Sequence, residues 1–230
     1  MDIMNDLKDF LIKHGATEVG FGDISDITHK KGLNVGVVFF ITYPKEVIES
    51  IKDAPTDDYL NHYNLLNQKL DNLGLLCEDY LKGKGYNAYA QTTSRLGWDF
   101  GENNSFELPH KTIATRSGLG WIGKSALFTT NRYGSALRLS SVLTDAPLDY
   151  GKPIEKSYCG SCMVCRDICP SDAISGIEWA VDLKRNDFYD DKKCENYARE
   201  ISFKQFGENK LICGKCIYEC PFTQNWLKKD

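Results

Sequence analysis

The chain has 230 residues, of which 42% are hydrophobic and 26% charged, and its net charge is -4. This length allows a core domain with a compact appendage. The composition excludes a disordered or low-complexity protein, and the basic residues form no stripe that would favour nucleic acid. The N-terminus lacks the pattern of a secretory signal, and the longest apolar stretch is too short for a spanning helix. We therefore expect a globular cytoplasmic protein with no membrane partner.

The first ninety residues show the apolar periodicities of alternating helices and strands. A first helix is predicted to end at Gly15, because glycine tolerates the left-handed conformation that closes many helices. Two strands (18–21 and 35–42), a long helix (59–82) and a further strand (86–91) are predicted to follow. The apolar face of the long helix consists of Tyr63, Leu66, Leu70, Leu73, Cys77 and Tyr80.

The middle of the chain is predicted to contain a helix and a hairpin. A polar stretch (92–105) precedes residues 110–116, whose pattern favours a helix. Residues 126–130 and 136–144 are strand-like and flank Tyr133-Gly134 in the manner of a β-hairpin. These elements extend the mixed α/β pattern to about residue 150.

The distribution of cysteines divides the chain into two predicted domains. Residues 1–150 are expected to form an α/β (α+β) domain, and residues 151–230 a second domain that contains eight of the nine cysteines. Crowded cysteines in a cytoplasmic protein indicate metal ligation rather than disulfides. The ninth, Cys77, is assigned to the core, since it lies on the apolar face of the long helix and unligated cysteine behaves as a small hydrophobe.

The first cysteine motif is a ferredoxin-type run. It consists of Cys159-x2-Cys162-x2-Cys165-x3-Cys169-Pro170 and matches the bacterial 4Fe-4S run term for term. A cubane cluster needs four thiolates, and the short spacings let one loop supply three of them. The fourth cysteine of such a run ligates the other cluster.

The second motif, Cys213-x2-Cys216-x3-Cys220-Pro221, repeats the last three cysteines of that run and has Lys210 in place of the first. Cys194 is the remaining thiol nearby, and we assign it as the missing ligand. A pair of zinc sites is the alternative, but Cys-Pro endings and reciprocal ligation are ferredoxin features. The predicted ligand sets are Cys159, Cys162, Cys165 and Cys220 for one cluster, and Cys169, Cys194, Cys213 and Cys216 for the other.

A glycine-rich block, Gly118-Leu-Gly120-Trp-Ile-Gly123-Lys124-Ser125, satisfies both G-x-G-x-x-G and the P-loop pattern. Both nucleotide-binding motifs require a strand before the glycines and a helix after them, because the phosphates bind at that helix's N-terminus. Here the predicted helix comes first and strand-like residues follow, which disfavours a P-loop or dinucleotide fold. Glycines that permit a tight helix-to-strand turn are the structural alternative.

Three blocks of the sequence together resemble the epoxyqueuosine reductases, cobalamin-dependent iron–sulfur enzymes related to reductive dehalogenases. The blocks are TRSGLGWIGKSALF (115–128), YGSALRLSSVLTDAPL (133–148) and CGSCMVCRDICP, and the lone Cys194 also agrees. The resemblance covers residues 85–225. It implies a nitroreductase-like α/β domain that binds cobalamin, followed by a ferredoxin-like double 4Fe-4S module whose clusters feed electrons to cobalt.

The resemblance also implies which residues contact cobalamin, because the glycine block and the segment after it help to form the corrin site in that family. Carried over by position, the contacts are Arg116, Gly118, Leu119, Gly120, Trp121, Ile122, Gly123, Lys124, Ser125, Arg138, Leu139 and Ser141.

Two departures from the family affect the expected chemistry. The family's catalytic aspartate corresponds to Asn103 or Asn104, and the chain stops ten residues after Cys220, where the family has a tRNA-binding helical-repeat extension. We therefore expect a short form for which tRNA is a doubtful partner. Candidate proton donors are the titratable residues of the polar stretch beside the glycine block, namely Asp99, Glu102 and His110.

Two functions follow from these observations. The first is an oxidoreductase in which two 4Fe-4S clusters reduce base-off cobalamin for reduction of a small substrate. A low-potential donor such as a ferredoxin or flavodoxin would supply its electrons. The second is a non-catalytic electron carrier or corrinoid-reducing partner, which accounts equally well for the clusters and for the absent aspartate.

Overall fold

The computed structural model of the protein describes residues 3–27, 29, 31–96 and 108–229. Within these residues the strands are β1 (Glu18–Asp23), β2 (Val35–Thr42), β3 (Ala88–Ala90), β4 (Trp121–Ile122), β5 (Phe128–Thr129) and β6 (Leu137–Thr144). The helices are α1 (Ile3–Lys13), α2 (Lys45–Ser50), α3 (Asp57–Gly83), α4 (Thr93–Leu96), α5 (His110–Arg116), α6 (Val164–Asp167), α7 (Arg185–Phe188), α8 (Asp191–Phe206), α9 (Lys215–Tyr218) and α10 (Pro221–Leu227). The predicted mixed α/β class is confirmed.

The chain forms two compact units whose segments interleave along the sequence. The sheet unit comprises Met1–Ile41, Leu66–Gly120 and Arg138–Ile154. The cysteine unit comprises Thr42–Leu65, Trp121–Leu137 and Glu155–Asp230. The predicted single boundary at residue 150 therefore does not describe these units, because two segments from the first 150 residues pack with the cysteine-rich segment.

A four-stranded sheet with the order β1-β2-β6-β3 forms the centre of the sheet unit. Strands β1 and β2 are antiparallel, with Glu18 opposite Phe40, and β3 and β6 are antiparallel, with Ala90 opposite Val142. Six consecutive residues of β2, from Val35 to Phe40, are buried. A central strand that is covered on both faces has this continuous apolar sequence instead of an alternating one.

Helices α1 and α5 of the sheet unit end where the sequence predicts. Helix α1 packs on β1 and is followed by Gly15, whose φ is +107°, while the Ala16 amide donates to the Leu11 carbonyl at 3.0 Å. This left-handed glycine is the predicted helix stop. Helix α5 also packs on β1 and has the predicted bounds.

Helix α3 supplies one side of the hydrophobic core. Its first turn carries Asp57 and Asp58, which favour the positive end of the helix dipole. Cys77 is fully buried in the core, which confirms its predicted structural role. The buried core residues are Leu7, Leu11, Ala16, Val19, Phe21, Val35, Val37, Phe39, Leu70, Leu73, Cys77, Leu81, Ala88, Ala90, Val142, Ala146 and Leu148.

The predicted hairpin around Tyr133-Gly134 is wrong. Strand β5 pairs with β4, so that Thr129 lies opposite Trp121, whereas β6 belongs to the four-stranded sheet. The turn itself forms, since Thr130 and Gly134 exchange two backbone hydrogen bonds of 2.9 and 3.1 Å. Pairing stops at this bridge because the next segment enters another sheet, a choice that local turn residues do not determine.

Short helices dominate the cysteine-rich part of the chain. Helices α6, α7 and α9 have four residues each, and α6 packs against α9. The longer α8 is capped by the Asp190 carboxylate, which accepts from the Lys193 amide at 3.0 Å, and it ends at Gly207 with φ of +70°. None of the helices in the described residues has the length and apolar character to cross a membrane.

Candidate iron–sulfur centres

The first predicted ligand set comes together in the cysteine unit. Cys159 and Cys162 lie in the loop before α6, Cys165 lies in α6, and Cys220 directly precedes α10. The pKa of the Cys165 thiol is raised to about 12, first by burial and then by the neighbouring Cys159, Cys220 and Cys162, in that order. These four side chains are therefore close enough to interact electrostatically.

The second predicted set also comes together. Burial raises the pKa of Cys216 well above its ordinary value, and the nearby Cys213, Cys194 and Cys169 act in the same direction. Cys194 lies in the first turn of α8, where burial raises its pKa while a hydrogen bond from Tyr189 opposes that shift. The sequence assigned Cys194 by elimination, and the structure brings it to the other three.

The two sets are neighbours. Cys216 of the second set interacts with Cys165 of the first, and their helices α9 and α6 pack together. In the described part of the chain, no group of three or more His, Cys, Asp or Glu side chains is arranged to hold a single metal ion. A cubane instead takes each of its four thiolates on a different iron, so its ligands surround a larger volume.

Lys124 of the glycine block holds the first cysteine loop. Its side chain is 1% exposed, and its ammonium donates to the carbonyls of Gly160 at 2.7 Å and Cys162 at 3.0 Å. Met163 Sδ lies 3.6 Å from the same nitrogen. The ammonium is thus bound by loop carbonyls within the protein, and the contact of Lys124 with cobalamin stays a prediction. The helix-then-strand order around the block likewise does not match a P-loop.

Two further residues of the block line the first cysteine loop. The Trp121 ring packs against Tyr158 and Phe222, with centroids 5.1 and 5.0 Å away, and its buried indole N–H has no acceptor among the described residues. A Cβ on Gly123 would lie 3.6 Å from Cys159 Sγ. An orphaned donor and a glycine packed against a ligand sulfur fit a sulfur-rich cofactor beside this loop.

The first half of the glycine block belongs to the sheet unit. Gly118 has φ of +76°, and a Cβ there would lie 2.6 Å from the Lys152 carbonyl. Leu119 packs on Gly20, where Leu119 Cγ would lie 2.8 Å from an added Cβ. A helix precedes the glycines and a strand follows, so these residues form the helix-to-strand turn that was the structural alternative.

Arg116, a further predicted cobalamin contact, forms an ion pair with Asp26. Its guanidinium donates to both carboxylate oxygens of Asp26 at 2.5 and 2.8 Å and to the Asp23 carbonyl at 2.9 Å. The remaining members of the predicted set differ in exposure. Gly120 and Ser125 are buried, while Ile122 and Leu139 are partly exposed.

His110, Ser141 and Gln91 form a polar network in the sheet unit. His110 Nδ1 lies 2.7 Å from Ser141 Oγ, which accepts from the Gln91 amide at 2.8 Å. The pKa of His110 is lowered to about 4, mainly by burial and then by the Arg138 cation, with Asp71 acting in the opposite direction. The imidazole is therefore neutral at pH 7, and the role of His110 as a proton donor stays a prediction.

Arg138, whose charge acts on His110, donates from Nε to Asn67 Oδ1 at 3.0 Å. The sequence predicted His110, Arg138 and Ser141 as site residues but did not indicate Gln91, for which no motif gave a signal. The other predicted donors, Asp99 and Glu102, lie outside the described residues, as do Asn103 and Asn104.

Comparisons with known proteins agree with this geometry. Residues 158–223 match the family model of the 4Fe-4S double cluster binding domain. The epoxyqueuosine reductase of Cyclobacterium marinum is 34% identical over 119 residues, which are 48% of this chain and 36% of the relative. That of Salmonella typhimurium is 28% identical over 183 residues, or 76% of this chain and 43% of the relative. The chain is similar to the epoxyqueuosine reductases.

Solved structures extend this similarity to the fold. An epoxyqueuosine reductase in complex with an epoxyqueuosine-modified tRNA stem loop matches with a TM-score of 0.62 and 21% identity over 96% of this chain and 65% of that chain. A catabolic reductive dehalogenase in complex with 3-bromo-4-hydroxybenzoic acid matches with a TM-score of 0.69 and 18% identity over 94% and 31%. The resemblance indicated by the three sequence blocks is thus confirmed, although the chain spans less than half of either curated relative.

Proposed function

We propose that this chain is an iron–sulfur oxidoreductase that carries two 4Fe-4S clusters and uses them in the reduction of a small substrate. The observation that carries the proposal is the grouping of eight cysteines into two adjacent sets of four. Two comparisons support the proposal: the match to the 4Fe-4S double cluster binding domain and the similarity to epoxyqueuosine reductases. The clusters supply one-electron chemistry, and a low-potential donor such as a ferredoxin or flavodoxin would reduce them.

The residues of the chain would bind, orient and shield this cofactor pair. Cys159, Cys162, Cys165 and Cys220 would hold one cluster, and the set that includes Cys194 would hold the other. Because burial raises the pKa of Cys165 and Cys194, iron must displace protons that these thiols would otherwise keep. Assembly of the clusters is therefore expected to release protons and to be favoured as the pH rises.

The finer part of the proposal is that the electrons pass to cobalamin. Its support is the sequence resemblance, together with a solved reductive dehalogenase that is described in terms of B12-dependent dehalogenation and matches with a TM-score of 0.69. The side chains of Arg116 and Lys124, two of the expected contacts, are engaged within the protein. The described residues thus give cobalamin no support beyond the resemblance, and we derive no step through it.

Reconstitution tests both parts on one sample. The full chain is purified anaerobically, loaded with iron and sulfide, mixed with cobalamin and desalted, and its ultraviolet–visible spectrum and iron content are measured. We expect about eight irons per chain, as two cubanes require, and a corrin spectrum that stays with the protein. About four irons, or stoichiometric zinc, would overturn the cluster assignment.

The variant Gly120→Val tests whether the glycine block is needed for the protein to retain cobalamin. Gly120 is buried, and Gly120→Val places a branched side chain in its turn. The expected result is loss of the corrin spectrum with unchanged iron. Full iron without retained corrin in the wild type would instead favour the non-catalytic electron carrier.

A substrate comparison separates the two candidate substrate classes. One solved relative was crystallised with a modified tRNA stem loop, so the loaded protein is offered that stem loop and, separately, small organic halides. We expect turnover of a small molecule and no retention of the stem loop. Tight binding of the RNA would reverse our expectation that tRNA is a doubtful partner.

A further inference from the structure

The buried ammonium of Lys124 has no carboxylate partner among the residues that the structure describes. Its side chain is 1% exposed, and no Asp or Glu among the described residues forms an ion pair with it. Its contacts are two neutral carbonyl oxygens, of Gly160 and Cys162, and the Met163 thioether. A buried charge is costly unless an opposite charge compensates it. The environment therefore calls for an anion near this lysine.

The cysteines beside Lys124 can supply that anion. Its two carbonyl partners belong to the segment 159–162, which contains two of the four cysteines of the first set. Four thiolates around a cubane give the cluster a net negative charge, and reduction adds one more. A nearby cation stabilises the more negative state, and this preference is stronger where water is excluded.

The hydrogen bonds of Lys124 also orient the loop itself. In a trans peptide the N–H points opposite the C=O. By holding the carbonyls of Gly160 and Cys162, the lysine fixes the directions of the Ser161 and Met163 amides, which share those peptide groups. Amide hydrogen bonds to sulfur are a second factor that sets the potential of an iron–sulfur cluster.

We propose that Lys124 is the positioning residue that raises the reduction potential of the cluster held by Cys159, Cys162, Cys165 and Cys220. The proposal rests on the cluster assignment of the proposed function. It gives the lysine of a P-loop-like pattern an electrostatic role toward iron and sulfur instead of phosphate. Trp121 and Gly123 contact the same cysteine loop, at Tyr158 and Cys159.

The test is a redox titration of the reconstituted full chain, followed by electron paramagnetic resonance. Lys124→Gln keeps a side chain of similar reach and removes the charge, and we expect the midpoint potential of one cluster to become more negative. The second cluster should not move. Lys124→Arg keeps the charge and should stay closer to the wild type. Lys156→Gln is the matched control, because it removes an exposed lysine three residues before Cys159.

Each outcome decides the proposal. Two intact clusters with unchanged potentials in Lys124→Gln would overturn it. If that variant loses iron, Lys124→Arg decides: two clusters with potentials near those of the wild type support the proposal, and equal loss of iron in both variants counts against it. An equal shift in Lys156→Gln would show that any nearby charge suffices. A wild type without clusters would overturn the proposed function itself, which the iron analysis reports separately.

Substitution of Glu178 should shift the potential of the same cluster in the opposite direction, because it removes a negative charge. The Glu178 carboxylate accepts the Gly160 amide at 2.7 Å, so the same residue is held by an anion and by the Lys124 cation. Glu178 is exposed, and solvent screens its charge more strongly. We expect Glu178→Gln to shift the same potential upward, and by less than Lys124→Gln shifts it downward. A downward shift would contradict the electrostatic explanation.

Discussion

The sheet unit and the cysteine unit are stabilised by different kinds of interaction. The sheet unit has a four-stranded sheet and a continuous apolar core to which α1, β2 and α3 contribute. The cysteine-rich segment has several helices of only four residues, which are too short to persist through their own hydrogen bonds. We expect burial alone to order the first unit, whereas the short helices of the second should also require ligation of its cysteines.

The largest expected effect is loss of a cluster from the cysteine unit, with the sheet unit unchanged. Cys194→Ala removes one ligand of the second set, and we expect the chain to lose about four of its roughly eight irons. Cys77→Ala is the control, because Cys77 is buried in the core of the sheet unit. Iron and sulfide analysis after anaerobic reconstitution measures both variants. Equal iron loss in the two would show that the ligand assignment is wrong.

The next effect tests the apolar core. Leu73 is 2% exposed within that core, and Leu73→Ala should lower the free energy of unfolding by about 2–5 kcal/mol through lost burial and a cavity. Leu76, on the same helix, is 39% exposed, so Leu76→Ala should change it by no more than about 0.5 kcal/mol. Denaturant titration, monitored by far-ultraviolet circular dichroism, compares them. Similar losses in both variants would contradict the assigned core face.

A smaller effect concerns the turn in which the glycine block begins. Gly118→Ala introduces a side chain at φ of +76°, where left-handed backbone costs about 1–2 kcal/mol for a residue with a Cβ. The Lys152 carbonyl, 2.6 Å from that Cβ, adds a contact penalty. Gly85 also has positive φ, but nothing lies within 4 Å of its Cβ position. Thermal unfolding should therefore show a larger loss for Gly118→Ala than for Gly85→Ala, and equal losses would exclude the close contact.

The smallest expected effect is a change in the free energy of unfolding that appears only at acidic pH. Burial alone would raise the pKa of Glu78, but hydrogen bonds from Arg95, Lys82 and the Ala90 amide lower it to about 2 from an ordinary value of 4.5. Since the folded state holds this proton less tightly, the stabilisation is present above pH 4.5 and is lost as the pH falls toward 2. Glu78→Gln should flatten this part of the curve of unfolding free energy against pH. An unchanged slope would mean that other carboxylates cause the acid sensitivity.

Much of the sheet unit could be predicted from hydrophobic periodicity. Strand β2 and helix α5 have the predicted bounds, and α3 extends the predicted helix by two residues at its start and one at its end. These elements have strong local signals, since an apolar run or a periodic face is visible in one segment. The partner of β6 was mispredicted because strand pairing depends on residues far apart in the sequence.

The candidate site was predictable to the extent that its chemistry depends on spacing. The two CxxC runs and the elimination that selects Cys194 indicate both ligand sets without any structure. The role of Lys124 had no such signal, because its carbonyl partners are 36 and 38 residues away along the chain. The motif pointed instead toward phosphate and the family resemblance toward cobalamin, since local sequence does not show where a lysine side chain will be buried.

The sequence by itself determined which residues are available for chemistry: the cysteine runs, the glycine block and the apolar faces of the long elements. Only the tertiary structure decided how segments 42–65 and 121–137 join the cysteine-rich segment and what Lys124 contacts. The physical reason is the range of the interactions. Helix periodicity and ligand spacing operate within a few residues, whereas burial of a charge or of a strand depends on neighbours that the whole fold brings together.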